Sequence, residues 1–381
     1  MKQIVPLFRI YWDNRDIEKM AVVIKKGMYW ANGPDVIEFE SRICEYFGVK
    51  YAVVVNSGTS ALHLSLLAYG VGDGDEVIVP SFTFIATANA PLFVGARPVF
   101  ADIEPETYGL DPEYVEKRIT NRTKAIIPVH YGGMPCHIKE LKQIAIKHNL
   151  ILIEDAAEAF GADIDGIKVG TFGDSAILSF CQNKIITTGE GGAILTNSKE
   201  VYEKLELFRS HGRLVTNDYF TTTEHPEYVE LGYNFRMPSI IAALGISQLE
   251  KADQIILKRK ENAAHMSQRL CQIRGIKTPD SPSGYNHVYQ MYTIRLENSD
   301  IRDELMRYLT DNGIQTKVFF LPVHLTQFYR QKFGYKGGEL PMTEKVASEV
   351  LTLPLYPALT QDEMDYIAQE IMNFFSDRGM Q

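Results

Sequence analysis

Between about residue 50 and residue 200 the chain repeats short apolar runs: YAVVV, EVIVP, ARPVFADI, KAIIPVHY, LILIED, SAILSF and GGAILTN. Because these runs are continuous rather than alternating, each predicts a strand buried on both faces of a mostly parallel sheet. The segments between them carry helical spacing. From Cys136 to Leu150, Ile138, Leu141, Ile144 and Ala145 share one face of a helix, and Asn149 closes it before the next strand. Strands alternating with helices in this way predict a βαβ architecture.

After Pro238 the pattern changes. The stretch SIIAALGISQLEKADQIILKRKENAAHMSQRLCQI contains no proline, and its Ile, Leu and Ala positions recur at helical spacing. It predicts one long helix, unbroken until Gly275 and able, at ~1.5 Å per residue, to bridge two parts of the molecule. Beyond it, HVYQMYTIRL reads as a strand, DELMRYLTDNG as a helix and EMDYIAQEIMNFF as a final amphipathic helix. The chain of 381 residues therefore divides into a large domain, 1–250, and a smaller C-terminal α/β domain, 251–381, packed around a cleft. Repeats, low-complexity tracts and flexible linkers are not apparent in the sequence.

Composition narrows the function by exclusion. An apolar fraction of 45% and a charged fraction of 23% match an average globular protein and exclude disordered, collagen-like and coiled-coil classes. A formal charge of -9 argues against a nucleic-acid or anionic-membrane partner, so an anionic substrate requires a local positive pocket. Without an apolar run near the roughly 18 residues a bilayer demands, and without an apolar leader at the start, the expected location is the cytoplasm. Cys44, Cys136, Cys181 and Cys271 form no CxxC pair, which argues against a disulfide framework or a cysteine zinc site; each reads as a small buried hydrophobe.

Three constellations carry chemistry. Asn56-Ser57-Gly58-Thr59-Ser60-Ala61-Leu62 follows one strand and opens an apolar helix, where free N–H groups and the helix dipole favour an anion and Gly58 permits close approach. The same residues equally make an ordinary Ser/Thr helix cap. Glu154-Asp155-Ala156-Ala157-Glu158 ends the strand LILI, where open α/β sheets bind ligands; Asp155 there suits a cationic ring nitrogen, or a helix N-cap. Ser179-Phe180-Cys181-Gln182-Asn183-Lys184 precedes IITTGEGG and places a lysine between a buried strand and a glycine-rich turn. Desolvated there, its amine becomes a nucleophile toward an aldehyde; the alternative is a surface lysine.

A phosphate site, a carboxylate for a pyridinium and a lysine for an aldehyde are the groups that pyridoxal 5'-phosphate requires. Asp155 would keep the ring nitrogen protonated, and Lys184 would hold the resting cofactor and shuttle a proton. PSFTFIATAN offers an aromatic cover for the ring, Phe84 ahead of Phe82.

With these residues in view, the chain resembles the DegT/DnrJ/EryC1/StrS family of nucleotide-sugar aminotransferases. The resemblance extends from YWANGPDVIEFE through NSGTSALHL, PSFTFIATANA, PVHYGG, EDAAEAFGA, SFCQNKIITTGEGG, RSHGR and GYNFRMPSIIAALG to LPVH, and EDAAEA is similar to GDP-perosamine synthases. It implies a fold-type-I, aspartate-aminotransferase-like transferase: an α/β protein with a large domain built on a mostly parallel mixed sheet and a smaller C-terminal α/β domain. It implies Lys184 as the internal aldimine, Asp155 at the pyridine nitrogen, Gly58, Thr59 and Ser179 at the phosphate, and Phe84 on the ring. Asn234 matches an asparagine that reaches the phosphate of a neighbouring subunit, which implies a homodimer with shared sites.

Two positions depart from the family pattern. Glu158 stands where many members have Gln or His, beside the cofactor or facing substrate or Lys184. Phe319-Phe320 replaces a tyrosine and removes a hydroxyl donor. A dehydratase branch carries His at the lysine position, so Lys184 favours transamination: an amino group moves from a donor, expected to be glutamate, to a keto group of a nucleotide-linked 4-keto-6-deoxy sugar in ping-pong order. Arg236, Lys317, His324 and Arg330 are the cations considered for a nucleotide diphosphate. The alternatives are a 3-keto-sugar or aminocyclitol substrate within the same family, or a cofactor-binding regulatory protein.

Overall fold

The computed structural model describes residues 4–214, 223 and 225–376; the outermost residues of both expected domain ranges lie outside these. All seven apolar runs form strands of one sheet: β1 (Tyr51–Val55), β2 (Glu76–Pro80), β3 (Arg97–Ala101), β4 (Thr123–Ile126), β5 (Ile151–Asp155) and, after the short hairpin β6 (Asp163–Ile164) and β7 (Ile167–Lys168), β8 (Ser175–Ser179) and β9 (Gly192–Thr196). Their spatial order is β1-β9-β8-β5-β4-β2-β3. Strands β3, β2, β4, β5 and β8 run parallel, whereas β9 pairs antiparallel with both β8 and β1.

The continuous runs are apolar because both sheet faces are covered. Val54, Ile78, Leu152, Leu178 and Leu195 belong to one core cluster, and their neighbours Val53, Val77, Ile153, Ile177 and Ile194 to the other. Helices α1 (Asn14–Lys26), α2 (Pro34–Phe47), α3 (Gly58–Ala68), α4 (Ile85–Phe93), α5 (Pro112–Arg118), α6 (Ile138–His148) and α7 (Lys199–Arg209) complete this part. The third of these begins at the turn after β1, and α6 ends at Asn149, whose φ of 52° is the left-handed cap its sequence position suggested.

The single long helix expected after Pro238 is instead two, α8 (Ser239–Leu249) and α9 (Ala252–Leu270). Tertiary packing overrides local propensity at the joint. Residue Lys251, the N-cap of α9, has its side chain fully buried, with Nζ 2.6 Å from Asp16 Oδ2 and 3.3 Å from Asp13 Oδ1 at the start of α1. Against α2, α8 packs so closely that a Cβ on Gly245 would lie 2.5 Å from the Phe39 ring.

The C-terminal part contains β10 (Ile276–Lys277), β11 (Tyr285–Asn286), β12 (Tyr292–Leu296), α10 (Ser299–Asp311), α11 (Gln327–Phe333), α12 (Pro341–Glu349), β13 (Val350–Leu353) and α13 (Gln361–Ser376). Strands β10, β12 and β13 form an antiparallel sheet over a core that includes Ile294, Leu305, Leu351, Ile367 and, from the other end of the chain, Val5. Strand β11 instead joins β6 and β7, and Tyr329 of α11 packs into a core of the large sheet. Of the four cysteines only Cys136 is buried as expected; Cys44 and Cys181 are half-buried and Cys271 is exposed, and all four are free.

Candidate active site

Strands β2, β4, β5 and β8 end at one edge of the sheet, and a cavity of about 370 Å³ opens there, lined by residues at or just beyond those ends: Thr83, Val129, Asp155 and Ser179. At one side of it lies the N-terminus of α3. Ser57, in extended backbone, accepts from the Ser60 amide at 3.1 Å, and the Ser60 hydroxyl donates to Asn56 Oδ1 at 2.7 Å. Gly58 and Thr59, the first helical residues, line the cavity, and their N–H groups have no acceptor within the helix. The turn is thus the Ser/Thr helix cap, and the same geometry leaves room for an anion. Two glycines let this turn lie against the neighbouring strands: a Cβ on Gly192, at the start of β9, would lie 2.6 Å from the Ser57 carbonyl carbon, and one on Gly58 itself would lie 3.0 Å from Ser179 Cβ at the end of β8.

On β5, neighbouring acids face opposite ways, as strand alternation requires. The Glu154 carboxylate accepts from the amides of Gly170, Phe172 and Gly173, each at 2.7 Å, and from His130 Nε2 at 3.0 Å. Because His130 Nδ1 accepts from the Cys136 amide, the ring proton sits on Nε2. Asp155 points into the cavity, where its Oδ2 accepts from Thr87 at 2.8 Å and its Oδ1 from the Ala157 amide at 3.2 Å. Burial pushes its carboxyl above the usual aspartate range, against the opposing pull of those two donors. A carboxylate so placed favours a cation brought against it.

The Lys184 turn is held at several points. Its amide donates to the Cys181 carbonyl at 2.9 Å, Thr188 N–H returns to the Phe180 carbonyl at 2.9 Å, and the Gln290 amide donates to the Asn183 carbonyl. The Lys184 amine reaches the cavity and lies 3.3 Å from Glu158 Oε1. Phe84 lines the cavity with 58% of its surface exposed, whereas Phe82 is fully buried and stacks on Tyr131 with ring centroids 4.7 Å apart. Phe319 and Phe320 form part of the wall, and the Tyr131 hydroxyl donates to the Phe319 carbonyl.

Gly58, Thr59, Phe84, Asp155, Glu158, Ser179 and Lys184 therefore meet around one space. Asn234 does not line it; exposed, it bridges to Ser210. Nor do Arg236, Lys317 or Arg330, and His324 is ruled out as a diphosphate contact because it is fully buried between Ser81 and Glu344. Sequence reasoning passed over Thr87 and Gln290. The first stands three residues after Phe84 on α4, one helical turn along the quoted motif, and could have been found from that spacing. Gln290 gave no signal, since its role arises only when the C-terminal segment packs on the lysine turn.

Helix N–H groups, a buried carboxylate and an amine around a single cavity suit the phosphate, the ring nitrogen and the aldehyde of pyridoxal phosphate. Fold and cavity together define a pyridoxal-phosphate-dependent transferase of the fold-type-I, aspartate-aminotransferase-like architecture. Residues 11–372 match the DegT/DnrJ/EryC1/StrS aminotransferase family. The chain is 36% identical to the GDP-perosamine synthase of Escherichia coli O157:H7 over 374 residues, covering 98% of this chain and 99% of that one. Among solved structures it is similar to PseC of Helicobacter pylori, an aminotransferase involved in the biosynthesis of pseudoaminic acid, with a TM-score of 0.92, 31% identity and coverage of 98% and 100%. A sugar aminotransferase of Streptococcus pneumoniae, described as putative and solved in its PLP form, matches with a TM-score of 0.92, 26% identity and coverage of 98% and 99%. The chain belongs to the DegT/DnrJ/EryC1/StrS family: it is a sugar aminotransferase that depends on pyridoxal 5'-phosphate and uses a sugar substrate and an amino donor.

Proposed function

We propose that this enzyme transfers an amino group from L-glutamate to the keto group of a nucleotide-linked 4-keto-6-deoxy sugar. The observation that carries the reading is the Lys184 amine in the same cavity as the Asp155 carboxylate, with the α3 N-terminus beside them. Full-length similarity to a GDP-perosamine synthase supports a nucleotide-linked sugar as the acceptor.

When bound, pyridoxal phosphate supplies an aldehyde that receives the donor's amino group and a ring that accepts electrons as a neighbouring carbon loses its proton. In our reading the N–H groups of Gly58 and Thr59 and the Ser179 hydroxyl hold the phosphate. Asp155, oriented by Thr87, would pair with the ring nitrogen and keep that nitrogen protonated. Phe84 would cover one face of the ring and exclude water from it, Glu158 stands beside the lysine, and Lys184 would move a proton between two carbons. Phe319 and Phe320 give the substrate an apolar wall.

We further propose that the enzyme acts as a cytoplasmic homodimer, each subunit lending Asn234 to its partner's phosphate site. Supporting this are the exposed position of Asn234, the exposed apolar residues Tyr228, Val229 and Leu231 close to it in sequence, and four unpaired cysteines. No helix among the described residues is long and apolar enough to cross a membrane.

The test is a panel of keto sugars incubated with the purified enzyme and glutamate, with amino-sugar product and 2-oxoglutarate quantified by mass spectrometry. Equal formation of both with a nucleotide-linked 4-keto-6-deoxyhexose is expected; turnover of 3-keto substrates alone would overturn the reading.

A further inference from the structure

Three carboxylates line the cavity, and their partners differ. Both Asp155 oxygens accept from neutral donors, Thr87 and the Ala157 amide. Glu190 turns Oε1 toward Cys181 Sγ, 3.8 Å away. Glu158 alone pairs with the lysine: Oε1 lies 3.3 Å from Nζ, and the two side chains are only 8% and 12% exposed. Its other oxygen, Oε2, accepts from the Gly132 amide at 3.0 Å. That amide is itself fixed, because the Gly132 carbonyl accepts from Met291 N–H at 3.0 Å and the Gly133 carbonyl from Val288 N–H at 3.1 Å. One carboxylate oxygen is therefore tied to rigid backbone while the other faces the amine, an arrangement that stabilises a positive charge without moving to meet it.

We propose that Glu158 is the fixed counter-charge of Lys184, holding its ammonium during the interval in which the lysine carries a proton from one carbon to the next. Lys184 Nζ takes a proton from the first carbon and becomes an ammonium; it gives the same proton to the second and returns to an amine. Glu158 remains a carboxylate throughout, so no proton is gained or lost. The proposal rests on Lys184 as the lysine that serves the cofactor.

Two variants separate charge from structure. Glu158→Gln keeps an oxygen for the Gly132 amide and loses the charge; Glu158→Asp keeps the charge on a shorter arm. In the cofactor-free protein, Lys184 is acylated with acetic anhydride at pH 8 and its peptide is quantified by mass spectrometry against the other lysines. Only the uncharged amine attacks, so Lys184 in Glu158→Gln should react about tenfold faster than in the wild type, with other lysines unchanged and Glu158→Asp close to wild type. In the loaded enzyme kcat should fall about 10–100-fold in Glu158→Gln while cofactor affinity, read by absorbance titration, changes little. Wild-type acylation in Glu158→Gln, or equal acceleration in Glu158→Asp, would overturn the proposal alone. A Lys184→Ala protein that still forms a borohydride-stable cofactor adduct would remove the underlying reading as well.

Discussion

Asp155 carries a cost in the cofactor-free protein that its chemistry explains. Burial raises its carboxyl, so the folded chain pays for an ionised Asp155 above the ordinary aspartate range, and the penalty grows with pH until the raised value is passed. Asparagine has no such penalty. Cofactor-free Asp155→Asn should therefore melt at the same or a higher temperature than wild type at pH 8, the difference shrinking below about pH 4, while transaminase activity falls at least about 100-fold. A scanning-calorimetry series with parallel assays checks both arms. At Gly192 the prediction is steric: Gly192→Ala forces a methyl to within 2.6 Å of the Ser57 carbonyl carbon, so denaturant titration should show a loss of about 1–3 kcal/mol and phosphate affinity should weaken. At this scale the residues that gather around the candidate cavity were legible, because Lys184, Asp155 and the Asn56–Thr59 turn lie in motifs at the ends of apolar runs. What escaped were partners brought from afar, such as Gln290 on the Asn183 carbonyl, which no local pattern encodes.

At the scale of elements, the strands were readable because burial on both faces demands unbroken apolar runs, and the cores confirm that alternate residues serve opposite faces. The break between α8 and α9 was not, because it depends on a contact 235 residues distant in sequence. Burial alone would raise the Asp16 carboxyl; the Lys251 ammonium overrides this and holds it below the usual aspartate range. Stability from the pair is thus complete above the ordinary aspartate pKa and is lost as pH falls through the lowered one. Lys251→Met leaves Asp16 without its buried cation and should cost about 3–5 kcal/mol at pH 7. Chemical denaturation at a series of pH values should show the gap from wild type closing on acidification; a gap independent of pH would mean that packing, not charge, joins these helices.

For the molecule as a whole, the cavity of one chain lacks Asn234, and the dimer reading predicts complementation. Lys184→Ala and Asn234→Ala homodimers should each be impaired, yet mixing them through partial denaturation should restore activity toward about a quarter of wild-type sites, since only a mixed dimer rebuilds one complete site. No recovery despite mixed dimers on native mass spectrometry would mean that each chain works alone. Sequence pattern could anticipate that two distant motifs converge, but not the shape of the space between them, which is assembled from the ends of four strands and the Phe319-Phe320 wall. The most direct measurement is therefore borohydride reduction of the purified protein with pyridoxal phosphate, followed by peptide mass spectrometry. A reduced cofactor adduct on Lys184, absent from Lys184→Ala, is the predicted result; an adduct on a different lysine, or none on a protein that nonetheless transaminates, would contradict it.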